Sequence, residues 1–150
     1  MQNVTVRQPC LAPAEVVWAV ATDLAAMPET MSGISAVEVL TPGDFGVGTR
    51  WRETRRMYGK EASEEMTITA IDPRRSYTAE AASAGMHYVT AFEFLPSEHG
   101  TDIVMTFGGE AVRTAAKVVG RLTGWAMTSS VRKAIQADLA DLAVAAEARA

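Results

Sequence analysis

The sequence predicts an α+β fold in which an antiparallel sheet packs on one long C-terminal helix. Three observations carry this. The periodicities run strand, helix, roughly six strand-like segments, then helix again. Only turn residues separate the later strand-like segments, which leaves no room for the helical crossovers of a parallel sheet. The last segment carries an apolar stripe, Val131, Ile135, Leu139, Leu142 and Ala146, with the spacing of a helix face turned to a core. Its other side holds Arg132, Lys133, Asp141 and Glu147, as water requires.

Each element has a local cause. Val4 and Val6 alternate with Thr5 and Arg7, and Pro9 is expected to stop this first, edge-type strand. Pro13 suits the first position of a helix, Glu15 complements its dipole, and Val16, Val17, Val20 and Leu24 follow a helical period. That helix should end before Pro28, with a turn or second short helix over Glu29 to Gly33. Ile34 to Leu40 read as a strand closed by Thr41, Pro42 and Gly43. Gly48 to Ile71 read as two strands joined near Tyr58, Gly59 and Lys60. Further strands are expected over Tyr77 to Ala82, Met86 to Leu95 and Thr101 to Phe107, the last ended by Gly108 and Gly109. Beyond Glu110 the composition is helical, with Gly120 and Gly124 expected to divide a short helix from a longer one.

Composition narrows the function classes. The chain has 150 residues, 48% of them hydrophobic and 21% charged, the balance of one globular domain spanning residues 1–150. Its net charge of -4 has the wrong sign for gripping phosphate backbones, so no nucleic-acid partner is expected. No stretch approaches the roughly 18 apolar residues of a membrane span, and the first residues lack the apolar core of a signal peptide. Cys10 is the single cysteine, which excludes an internal disulfide or a thiolate zinc site and makes the cytoplasm the default location. Two histidines, His87 and His99, are too few for a multi-histidine metal centre, and no cofactor is called for.

Several short motifs resemble one family. Ala12-Pro13-Ala14-Glu15-Val16-Val17-Trp18-Ala19-Val20, followed by Thr22-Asp23-Leu24, is similar to the opening helix of the START-like (SRPBCC) superfamily, in its polyketide cyclase/dehydrase and lipid-transport branch. The segments Gly46-Val47-Gly48-Thr49-Arg50-Trp51, Ile71-Asp72-Pro73-Arg74-Arg75 and Gly100-Thr101-Asp102-Ile103 resemble its third strand and two of its turns. Asp138, Leu139 and Leu142 resemble its final helix. The chain departs from the family at Glu29-Thr30-Met31, where many relatives place a tryptophan soon after the proline. The resemblance implies a helix-grip fold, with a curved sheet of about seven strands wrapped around the C-terminal helix. It further implies a cavity between them for a lipid-, sterol- or polyketide-like ligand, and it leaves open whether there is a reaction.

Alternation along the strands selects the side chains expected to face that cavity. They are Tyr88, Thr90, Phe92 and Phe94 on one strand and Ile103, Met105 and Phe107 on the next. Tyr77, Ala79 and Ala81 come from a third, where two alanines leave volume, and Met66 and Ile68 from a fourth. Val131 and Ile135 face them from the helix. Trp51 and Met57 share a face with Glu53 and Arg55, which brings two ionisable groups toward an apolar space where a charge must be paired. Arg55 is expected to bind a carboxylate, phenolate or enolate oxygen, with Glu53 orienting it or acting as a base. The alternative is a solvent-facing surface pair at the strand end.

Three function classes remain open. The first is a binder of a small apolar or aromatic molecule, as monomer or homodimer. The second is a polyketide aromatase/cyclase or dehydratase using Glu53, Arg55, Tyr88 and Thr90. The third is a protein-interaction or regulatory module using the outer sheet face. His87, which borders a turn beside Tyr88, reads as an exposed residue, and Glu64 and Glu65 point to opposite faces, which excludes a paired-carboxylate site. Ser130 and Lys133 match an S-x-x-K pattern without its companion motifs. Arg50, Arg52, Arg55 and Arg56 are divided between two faces and make no binding stripe.

Overall fold

The computed structural model describes residues 2–57, 59–83, 85–111 and 114–150, and its side-chain detail excludes Gln2, Met57, Ser83 and 111–128. The order is β1 (Gln2–Cys10), α1 (Ala14–Ala21), a 3-10 turn (Leu24–Ala26), α2 (Met27–Thr30), β2 (Ile34–Val39), β3 (Arg50–Met57), β4 (Lys60–Asp72), β5 (Ser76–Ser83), β6 (Met86–Ser97), β7 (Gly100–Ala111) and α3 (Thr114–Arg149). The seven strands form one curved antiparallel sheet in the order β1-β7-β6-β5-β4-β3-β2. The α+β arrangement and strand number are those the sequence predicts.

Several boundaries differ from expectation, and β6 runs past Leu95 through Pro96 to Ser97. β1 continues through Pro9 to Cys10, because a strand at the sheet edge has backbone N–H groups that no neighbour needs. The first helix ends at Ala21, and Leu24 begins a separate 3-10 turn. β7 runs through Gly108 and Gly109 to Ala111; Gly109 lies under the ring of Tyr88, where a Cβ would come within 2.9 Å of Cδ1. α3 is one helix across Gly120 and Gly124, since a helical glycine costs only about 1 kcal/mol relative to alanine and neighbouring helix formers offset it.

The core lies between the concave sheet face and the C-terminal half of α3. Leu139, Leu142, Ala143 and Ala146 are enclosed against Val4, Val6 and Cys10 of β1 and Val17, Val20 and Ala21 of α1. On the sheet, Ile68, Ala79, Thr90, Phe107 and Val4 follow one another directly across the strands. A register shift between Ile68 and Ala70 sets Ile71, not Ala70, opposite Tyr77, the local bend expected of a bulge in a long strand. Two polar contacts pin α3 at this end. Ser32 donates from its N–H and hydroxyl to Asp141 Oδ2 at 3.0 and 2.9 Å, and Leu11 N–H donates to Glu147 Oε2 at 2.8 Å.

Candidate functional site

β3 is hydrophilic in sequence yet has one half-buried face, and alternation puts Trp51, Glu53 and Arg55 on it. Arg55 projects from β3 toward α3. Its Nε donates to Glu53 Oε2 at 2.7 Å, while Nη1 and Nη2 donate to Asp138 Oδ1 and Oδ2 at 3.3 and 2.8 Å. The Asp138 contact is the two-pronged pairing for which guanidinium and carboxylate are shaped. Trp51 Nε1 donates to the second oxygen of Glu53 at 3.4 Å. The approach depends on Gly33: a Cβ there would sit 3.3 Å from Arg55 Nη1 and 3.4 Å from Asp138 Oδ1.

This is a largely enclosed ionic network, not the surface pair of the alternative reading. Side-chain exposure is 29% for Arg55, 14% for Glu53 and 7% for Asp138. Burial works against the Arg55 charge, but the Asp138 and Glu53 carboxylates outweigh it and hold the guanidinium pKa above its usual value. Burial raises the Asp138 pKa, and the favourable Arg55 contact only partly opposes this; Glu53 and Asp141 add to the rise.

A second carboxylate stands opposite Glu53. Glu64 on β4 is its direct partner in the β3–β4 ladder, so the two share the inner face, while Glu65 turns outward to bind Arg50 and Arg52 at 2.8 Å each. Burial and the Glu53 charge raise the Glu64 pKa, with Arg55 opposing. Tyr88 belongs to the same region. It stacks on Phe107 at 5.6 Å between centroids, and burial and Glu64 raise its phenol pKa.

The predicted lining residues fall on the inner face, in two groups. At the end nearest α1, Phe94 is wholly enclosed and Tyr77, Phe92 and Met105 nearly so; Trp51, Ile68 and Ile135 are buried too. Tyr77, Phe92 and Phe94 stack there with Trp18 and Phe45 edge-on, which makes this end packed core. Burial accordingly raises the Tyr77 pKa. Thr90 is also buried. Toward the other end Met66, Tyr88, Phe107 and Val131 keep accessible surface, as do Glu53, Arg55 and Glu64. The Met57 side chain lies outside the described residues.

Sequence reasoning missed Asp138 as the Arg55 partner and Glu64 as the Glu53 neighbour. The signal for Asp138 was its place inside the apolar stripe, three residues after Ile135 and beside Leu139. Contrary to expectation, two carboxylates do face each other: alternation separates Glu64 from Glu65, but the β3–β4 register sets Glu64 opposite Glu53. His87 lies on the outer face, 2.7 Å from Glu80, beside a hollow of about 310 Å3 bordered by Glu65, Thr67 and Ala82. His99 meets Asp102 in its turn. Lys133 is exposed and Ser130 half-buried on α3. Arg50, Arg52 and Arg56 form outer-face ion pairs.

Comparisons with known proteins follow this architecture. Among curated proteins none matches the sequence. Solved structures do match. A protein from Thermus thermophilus aligns with a TM-score of 0.82 and 20% identity over 99% of both chains. Zhui aromatase/cyclase from a Streptomyces species aligns with a TM-score of 0.79 and 20% identity, over 99% of this chain and 94% of that one. A protein from Chromobacterium violaceum aligns with a TM-score of 0.72 and 16% identity, over 98% and 99%. At these identities the likeness is one of fold, here the helix-grip arrangement. The family described as polyketide cyclase/dehydrase and lipid transport matches residues 1–147, and with a match across nearly its whole length the chain belongs to that START-like family.

Proposed function

We propose that residues 1–150 act as one domain that binds a small, largely apolar molecule, lipid-, sterol- or polyketide-like, between the inner sheet face near Arg55 and α3. The observation that carries this is the Arg55 network. Glu53 and Asp138 hold the guanidinium on the inner face of the sheet, the face that also carries the half-buried Met66, Tyr88 and Phe107. A guanidinium has five N–H groups, and the contacts to Glu53 and Asp138 use three. Among the described residues, one N–H on each Nη has no protein partner and is left to meet a ligand oxygen. An apolar wall with a few fixed polar groups is the usual composition of a small-molecule site.

The test is native mass spectrometry of freshly purified protein, followed by titration with methyl β-naphthyl ketone as an apolar probe carrying one oxygen. A non-covalent mass lost on denaturation, or saturable uptake of the ketone weakened by Arg55→Leu, supports the reading. Protein that is empty and takes up no ketone overturns it. The proposed setting is the cytoplasm, as monomer or homodimer.

A second reading is turnover as an aromatase/cyclase or dehydratase. Favouring it, Glu53, Glu64 and the Tyr88 hydroxyl share a face with Arg55, which puts groups able to move protons beside one able to polarise a carbonyl. Cyclised product from a poly-β-keto thioester, lost in Arg55→Leu, supports this; binding without product leaves the carrier reading.

A further inference from the structure

We propose that Glu64 sets the charge of the ligand, making the site select an uncharged carbonyl or hydroxyl oxygen over a carboxylate on the same skeleton. This rests on the ligand-binding reading and names its ligand class.

Glu64 is half-buried and directly opposite Glu53 across the β3–β4 ladder. Facing residues on adjacent antiparallel strands have Cβ atoms about 5 Å apart. Among the described residues, the charged and titratable groups around it are Glu53 and Arg55 on β3, Tyr88 on β6, and Asp138 on α3 behind Arg55. Of its described residues, β5 contributes Tyr77, Ala79 and Ala81 to the buried inner face, none of them charged. Among the described residues Arg55 is the one cation in this set. Its charge is more than balanced by Glu53 and Asp138, both within hydrogen-bonding distance. Ionised Glu64 adds a further negative charge with no ion pair of its own among the described residues.

A ligand carboxylate approaching the remaining Arg55 N–H groups therefore meets surplus negative charge in a poorly solvated place, which opposes binding. A neutral oxygen accepts the same N–H without that repulsion.

The experiment titrates wild type, Glu64→Gln and Glu61→Gln by calorimetry at neutral pH with β-naphthoate and methyl β-naphthyl ketone, which share a ring system. Glu61 is an exposed outer-face partner of Arg56 and serves as control. Wild type is expected to bind the ketone about tenfold more tightly than the carboxylate. Glu64→Gln, which removes the charge, is expected to narrow that ratio about fivefold, mainly through tighter naphthoate binding. Glu61→Gln leaves it unchanged. Equal or tighter naphthoate binding by wild type, or an unaltered ratio in folded Glu64→Gln, overturns the role of Glu64 while ketone uptake keeps the binding reading. If neither probe binds folded wild type, both fall. Should Glu64→Gln not fold, Glu64→Thr suits a strand and gives the same readout.

Discussion

Arg55 on β3 and Asp138 on α3 are joined through both ends of the guanidinium, at 3.3 and 2.8 Å, so one ion pair fastens the last helix to a strand near the far edge of the sheet. Removing one partner strands the other. Arg55→Leu leaves the Asp138 carboxylate enclosed without its cation, at an expected cost of about 3 kcal/mol. The double variant Arg55→Leu/Asp138→Leu should recover much of that, because an apolar pair leaves no uncompensated charge. Urea unfolding of both single variants and the double variant measures the coupling. Additive losses would show that the bridge does not join the two elements.

The dependence of stability on pH follows from Glu64. Its folded pKa is raised, chiefly by burial, so the native state holds the proton more tightly than the unfolded chain. Its contribution is therefore most favourable below the ordinary glutamate value and declines as pH rises through the folded value. Glu64→Gln removes that decline and the like-charge contact with Glu53, and should be more stable at neutral pH by about 0.2–1 kcal/mol. Unfolding midpoints from acid to neutral pH test this; an unchanged slope in the variant would contradict it.

Gly109 controls the position of Tyr88. A methyl at 109 would lie 2.9 Å from Cδ1 and 3.2 Å from Cε1 of the ring, forcing the tyrosine off the site and out of its stack with Phe107. Gly109→Ala is expected to cost about 1–2 kcal/mol by overpacking and to weaken ketone binding. Near-ultraviolet circular dichroism reports the ring shift. Unaltered aromatic signal and affinity would mean that Tyr88 does not shape the site.

Cys10 is enclosed at 1% exposure, with its Sγ 3.8 Å from the Ala143 carbonyl oxygen. Burial raises its thiol pKa, the Ala12 backbone contact opposing and Glu147 adding to it. Alkylation should therefore be slow in the native protein and rise with urea along the unfolding curve. Rapid labelling without denaturant would show that the β1 end opens locally.

Much of this was legible in the sequence because strand faces are a local property. Trp51, Glu53 and Arg55 follow a period of two, and the same rule sorts Tyr77 through Phe107. What pairs across the sheet is not local. That Glu53 meets Glu64 depends on a register fixed at the turn beyond Met57, and a shift of one residue would turn Glu64 outward. Asp138 sat in plain view within the helix stripe, but its partner lies 83 residues away in the chain. Which end of the inner face is packed solid was hidden too, because Trp18 and Phe45, which close it, come from α1 and a loop. Pro9 and the β7 glycines misled because punctuation rules assume an ordinary strand; an edge position and an overlying ring changed their meaning.

The adjacency of β1 and β7 also bears on how the chain is made. Thr5 and Thr106, 101 residues apart, touch in the finished sheet, so β1 must wait for a strand synthesised about 100 residues later. Until then β1 is an unpaired edge, and the helix that covers the concave face has not been synthesised. Such distant pairings fold slowly, and the waiting strands expose apolar surface to neighbouring chains. Truncating this protein before β7 should therefore yield an aggregation-prone product, and nascent chains of that length are where a chaperone would be needed most.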